Sequence, residues 1–107
     1  MTDINNKELL LEAIDNYDLY SMNKRNVLKI IVSASIEGIA RISGKRISEL
    51  SNKSLGNVFL TLRNLEKDGF IKRVKNPGEQ YFSYTLNSDK IKFLTKLYYH
   101  NTKQLKK

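Results

Sequence analysis

Between residues 54 and 86 the chain has few ways to fold. Val58, Leu62 and Leu65 recur at helical spacing, and Asp68-Gly69 then breaks the pattern. Phe70-Ile71-Lys72-Arg73-Val74-Lys75 follows and is strand-like. Asn76-Pro77-Gly78-Glu79 is a strong turn signal, and Tyr81-Phe82-Ser83-Tyr84-Thr85-Leu86 reads as a returning strand. A helix stopped by glycine therefore feeds a two-stranded hairpin, which cannot bury its apolar side alone. The rest of the chain has to supply the cover.

Upstream, Asn5 and Glu8 stand where a cap and its third-position carboxylate would begin a helix, predicted over about 6–19. Leu10, Ala13, Ile14 and Tyr17 form its apolar stripe. Ser21 or Asn23 caps a second helix with a buried stripe of Val27, Leu28, Ile31, Val32, Ser35 and Ile36, ended by Gly38. Residues 39–46 read as a loop or short strand. A short helix follows around Ile47–Leu50, with Ser48 near its cap, and residues 51–54 form a turn. Asn87 or Ser88 caps a last helix carrying Ile91, Leu94, Leu97 and Tyr98, and residues 102–107 are a basic tail expected to fray.

The expectation is one domain over 1–107: an N-terminal helix over 1–20, a body over 24–100 and the tail. It is mainly α with a small β-hairpin (α+β). A chain of 107 residues suffices for one compact domain. No internal repeat or low-complexity linker divides it.

Charge narrows the partner. Residues 1–23 hold one base and five acids, a net −4, whereas residues 24–107 hold 18 bases and 6 acids, a net +12. A basic body favours a polyanion, nucleic acid before a membrane surface. Cysteine is absent, so neither disulfides nor thiol chemistry arise. The acidic, polar start does not read as a signal peptide, and no apolar run approaches the roughly 20 residues of a membrane span. A cytoplasmic protein of bacterial type is expected.

Enzyme signatures are missing. His100 is the single histidine, and one histidine without cysteine does not make a zinc site. There is no glycine-rich phosphate loop and no Ser-His-Asp set. Glu49, Glu66 and Asp68 are explained as surface charges or caps. No enzymatic activity, metal or cofactor is expected.

On a helical projection from Val58, Leu55, Val58, Leu62 and Leu65 fall within about 80° and form a core stripe. Lys53, Asn57, Asn64 and Lys67 fall opposite. Ser54, Leu55, Gly56 and Asn57 open the helix, where free backbone N–H groups favour phosphate. Asn57 is the candidate base reader, since asparagine pairs bidentately with adenine; a solvated or capping role is the plainer alternative. Lys72, Arg73, Lys75 and Asn76 make the hairpin basic, suited to a phosphate backbone or a minor groove. Lys45, Arg46 and Lys53 add candidate phosphate contacts. Tyr81, Phe82 and Tyr84 are not read as a stacking platform, because alternation buries about half of them.

Leu60 is the anomaly. It lies about 200° from Val58, in the middle of the wet face, one turn after Gly56. A small residue beside an apolar one admits a second helix closely. Gly56, Phe59 and Leu60, flanked by Arg63 and Asn64, thus form a candidate homodimer face. The blander alternatives for Leu60 are an apolar contact to a thymine methyl or a leucine tolerated at the surface. Phe59 by itself also fits the edge of the core.

Residues 24–100 resemble the winged-helix (winged helix-turn-helix) DNA-binding superfamily, on the pattern Val58…Leu62…Leu65-Glu66-Lys67-Asp68-Gly69-Phe70-Ile71 followed by bases. Only eight positions separate Leu50 from Val58, a compact spacing for that superfamily. With Val58-Phe59 and Thr61, it is similar to the TubR proteins, centromere-binding adaptors of tubulin-like plasmid and phage partition systems. That resemblance implies a dimer joined through paired recognition helices whose N-termini enter the major groove. It also implies wings near the minor groove, repeated double-stranded DNA sites, a tubulin-like GTPase partner, autorepression, and a plasmid- or phage-encoded bacterial origin. The alternatives are a winged-helix transcriptional repressor, and a protein-interaction winged helix that binds no DNA.

Overall fold

The computed structural model describes residues 2–80 and 82–105. Five helices and four short strands run in the order α1 (Thr2–Asp15), α2 (Met22–Ala34), β1 (Ser35–Ile36), β2 (Ile39–Ala40), α3 (Gly44–Ser51), α4 (Leu55–Lys67), β3 (Ile71–Val74), β4 (Ser83–Leu86) and α5 (Ser88–Leu105). The sheet is antiparallel throughout, in the order β1-β2-β4-β3. Its larger hairpin pairs Ile71 with Leu86 and Val74 with Ser83.

Serines start three of the helices. Ser21, Ser43 and Ser54 are extended N-caps whose hydroxyls accept from the backbone N–H of Lys24, Arg46 and Asn57. Each cap satisfies a donor that the first helical turn leaves free. Asn87 does the same before α5, its Oδ1 accepting from the N–H of Asp89 and Lys90. The third helix therefore begins earlier than its sequence suggests. Its cap is Ser43 rather than Ser48, and Gly44 is its first residue. Gly44 is buried because the ring of Phe59 lies against it; an added Cβ would sit 2.8 Å from Phe59 Cε1.

The second helix stops at Ala34, not at Gly38. Glu37 and Gly38 both adopt positive φ, as a tight hairpin turn requires, and reverse the chain into β2. Ile36, expected on the buried stripe, is consequently 74% exposed on the edge strand. Ser35 is buried as expected. The first helix ends at Asp15 rather than near residue 19. The returning strand begins at Ser83 rather than Tyr81, which lies outside the described residues. The tail expected to fray is helical as far as Leu105; Lys106 and Lys107 are outside the described residues.

One buried cluster joins all five helices to the sheet. Leu10 and Ile14 of α1, Val27, Leu28, Ile31 and Val32 of α2, Ile47 of α3, Val58, Leu62 and Leu65 of α4, Ile71 and Tyr84 of the hairpin and Leu94 of α5 meet in it. A three-ring set of Tyr17, Tyr20 and Phe70 closes one end in edge-to-face contacts, with centroids 5.0–6.4 Å apart. Lys7 crosses from α1 to the end of α2, its Nζ donating to the carbonyls of Ser33 (3.3 Å) and Ser35 (2.9 Å). Among the described residues no helix is long and apolar enough to cross a membrane.

Candidate nucleic-acid interface

The link between α3 and α4 is short and tightly bonded. Asn52 takes the left-handed conformation at φ 59°, which asparagine tolerates better than most residues. The N–H of Lys53 donates to the carbonyl of Ser48 at 3.2 Å, and the Ser48 hydroxyl donates to the carbonyl of Lys53. These bonds aim the first turn of α4 outward. Ser54, Leu55, Gly56 and Asn57 are all exposed there.

The buried arc of α4 is Val58, Thr61, Leu62 and Leu65. Leu55, expected in the core stripe, is 44% exposed. Its Cδ1 covers Gly44 beside the Phe59 ring instead. The arc is turned toward α2, where Asn23 makes the reason visible. Asn23 Nδ2 donates to Asn57 Oδ1 at 2.7 Å and to Thr61 Oγ1 at 3.4 Å. The Thr61 hydroxyl in turn donates to the Asn57 carbonyl at 2.9 Å. The sequence offered Asn23 only as a rival cap. Its link to α4 spans 34 residues and joins polar side chains, so hydrophobic periodicity carried no trace of it.

Gly56, Leu60, Arg63 and Lys67 run along the outward side of α4, each exposed, with Asn64 beside them. Leu60 is 56% exposed. Nothing lies within 4 Å of a Cβ added at Gly56. Phe59 is half-exposed, its ring divided between Gly44 and solvent. That contact fits the edge-of-core alternative and leaves less of the ring for a partner.

The hairpin projects beside this helix. Asn76 to Glu79 form its turn, closed by the Glu79 N–H to the Asn76 carbonyl at 3.1 Å, with Pro77 and Gly78 at the central positions. Lys72 and Lys75 are exposed and make no ion pair among the described residues; Lys45, Lys53, Arg63 and Lys67 share that state. Arg73 differs from its neighbours. Its Nε donates to Glu66 at 2.9 Å and its guanidinium lies 5.1 Å from the centre of the Phe82 ring. It braces the hairpin against α4. Arg46 pairs with Glu49 at 3.2 Å along α3, with both side chains exposed. Arg41, which no sequence motif singles out, is exposed and lines a pocket with Glu79, Gln80 and Phe82 at the hairpin. Tyr84 is buried, which fits a packing role, whereas Phe82 is exposed with the Arg73 guanidinium over its ring. Burial pushes the Tyr84 phenol up.

At its far end α4 is tied to the α1–α2 junction. Asp68 Oδ2 accepts from Lys24 Nζ at 2.8 Å and from the Tyr20 hydroxyl at 2.6 Å, while Lys24 also lies 4.0 Å over the Tyr20 ring. The bond from Lys24, then that from Tyr20, holds the Asp68 carboxyl below its ordinary value. Burial, then the bond to Asp68, pushes the Tyr20 phenol up. Gly69 at φ 86° ends the helix, and its chain turns directly into β3.

Solved structures share the fold that carries this helix and hairpin. MepR, a transcription regulator of the Staphylococcus aureus multidrug efflux pump MepA, superposes with a TM-score of 0.63 at 17% identity, over 99% of this chain and 74% of its own. The chain has the winged-helix fold. A Staphylococcus aureus MepR mutant bound to an oligodeoxyribonucleotide matches with a TM-score of 0.62 at 16% identity, over 98% of this chain and 75% of its own. The multiple antibiotic resistance repressor MarR matches at 0.54 and 18%, over 97% and 74%. No family model matches the chain, and no curated protein does. In this fold α4 holds the recognition-helix position and the β3–β4 hairpin is the wing.

Proposed function

We propose that the protein is a sequence-specific double-stranded DNA-binding regulator of transcription, acting in the bacterial cytoplasm as a homodimer. The observation that carries this reading is the set of exposed bases that make no ion pair among the described residues and flank one exposed helix and hairpin: Lys53 before the start of α4, Arg63 and Lys67 further along it, and Lys72 and Lys75 on the wing. Ser54, Gly56 and Asn57 present the first turn to phosphate and base edges. Lys45, Arg46, Lys53, Lys72, Arg73, Lys75 and Asn76 take the phosphate backbone. The ion pair of Arg46 is exposed and weak enough to be exchanged for phosphate, whereas Arg73 would have to give up its partly exposed brace to Glu66 to do the same. The regulator reading is supported by its neighbours' descriptions as a regulator of an efflux pump and an antibiotic-resistance repressor.

A second reading, a centromere-binding adaptor for DNA segregation, draws on a different observation. Gly56 and Leu60 lie exposed on one side of α4 with no packing reason among the described residues. Pairing of two α4 helices there, through Gly56, Phe59, Leu60, Arg63 and Asn64, would cover them. The tubulin-like GTPase and the plasmid or phage origin rest on the family resemblance alone. Footprinting of the DNA flanking the gene, across a salt series, separates the readings. A single site overlapping a promoter is the expected result. A long array of short repeats supports the segregation adaptor, and no protection even at low salt turns the assignment to a protein-interaction winged helix.

A further inference from the structure

Glu66 is an acid set among bases. Arg63 and Lys67 precede and follow it on α4, and Lys72, Arg73 and Lys75 lie on the adjacent wing. As a bare surface charge it would only repel phosphate. Its one side-chain bond gives it another role. Arg73 shares the inward side of β3 with buried Ile71, two residues before it, and stands opposite Tyr84. From there its Nε donates to Glu66 Oε1 at 2.9 Å, and its guanidinium carbon lies 5.1 Å from the centre of the Phe82 ring. A guanidinium is a planar fork of five N–H donors. Glu66 engages the Nε side, and Arg73 makes no other side-chain hydrogen bond among the described residues. The donors of the two terminal nitrogens therefore remain, and the side chain is still 39% exposed. That edge can take a phosphate end-on without any exchange of Glu66. A lysine at this position, a single point charge, could not be held on one side and offered on the other.

We infer that Glu66 is a positioning residue for DNA binding, holding the Arg73 guanidinium with its terminal nitrogens presented to one phosphate beside the wing. This rests on the proposed DNA-binding function and refines it. An arginine that is already held surrenders less side-chain freedom on meeting the duplex than a free one. Deleting an acid beside DNA ordinarily tightens binding. Deleting Glu66 should weaken it.

The experiment measures the affinity of the full chain and its E66A, E66Q, R73A and E66A/R73A variants for the tightest duplex selected from a randomised pool. Fluorescence anisotropy across a salt series gives the affinity and its slope, and thermal melting checks that each variant is folded. R73A is expected to lower the slope of log affinity against log salt by about 0.9, the share of one phosphate. E66A should weaken binding about fivefold, the cost of ordering a freed side chain. Its loss should be smaller than that of R73A, which removes the contact as well as its alignment. E66Q keeps an acceptor oxygen for Nε without the charge, so it should bind at least as tightly as the native chain. In the R73A background E66A should cost no affinity. Tighter binding by E66A would show that Glu66 competes with phosphate for Arg73. Equal losses from E66A and R73A would reduce the pair to a brace of the wing. Either result overturns the inference, as does an unchanged slope in R73A or a further loss from E66A in the double variant. Failure of the native protein to enrich any duplex instead defeats the DNA-binding assignment itself.

Discussion

At the scale of single residues, polar contacts decide where α4 begins and ends. Ser54 caps its start and Asp68 anchors its end. The Asp68 carboxyl is held below its ordinary value, so its contribution is present at neutral pH and is lost as pH falls through the depressed folded-state value. Its side chain is 40% exposed, which limits the ion pair to under about 1 kcal/mol. Asp68→Asn should therefore lower the urea midpoint slightly at pH 7. The gap from the native protein should close as the acid limb is entered below about pH 4. A gap that is constant from about pH 7 to about pH 2.5 would show that the charge of Asp68 is irrelevant. Leu62, by contrast, is fully buried, and truncation to alanine should cost about 2–5 kcal/mol, read from denaturant unfolding at any pH where the chain is folded.

At the scale of elements, α4 has a buried side that the sequence announces and an outward side that it cannot explain. Gly56→Ala adds a methyl into open space and removes the helical penalty of glycine. The isolated subunit should be stabilised by up to about 1 kcal/mol by thermal melting. If close approach of another molecule is the reason for glycine, the same variant should bind DNA or self-associate more weakly; tighter binding in both assays would remove that reason. Leu60→Asp addresses the pairing of two α4 helices separately. Sedimentation should show monomers where the native chain forms dimers, with melting little changed, since Leu60 is exposed within the subunit. The legibility of each element follows its physics. The helix, its glycine stop and the hairpin were readable because burial repeats at about 3.6 and 2 residues. The start of α3 was hidden because Gly44 reads as a loop, although it is required by the Phe59 ring. Strands β1 and β2 are two residues long, too short to show a period. Leu55 projects as core on a helical wheel but sits in the first turn, where the buried side has shifted toward α2.

At the scale of the whole molecule, charge is the legible quantity and pairing is the hidden one. The net +12 of residues 24–107 pointed to a polyanion, yet only the structure distinguishes the braced Arg73 from Lys72 and Lys75, which make no ion pair among the described residues. Replacing both lysines with glutamine should weaken DNA binding across sequences. It should also reduce the slope of log affinity against log salt by about 1.8, or about 0.9 for each phosphate that is no longer neutralised. An unchanged slope, measured by fluorescence anisotropy, would place the wing away from the duplex.

The two ends of α4 have a joint consequence. Asn23 holds its first turn, and Lys24 with Tyr20 holds the residue that follows its last, so two adjacent α2 positions clamp opposite ends of one helix. A helix held in this way has little motion left to surrender on meeting a ligand, and pre-organisation of that kind lowers the ordering cost of association. The heat-capacity change on complex formation should then follow from surface buried at the contact alone, without the larger negative value that accompanies folding on binding.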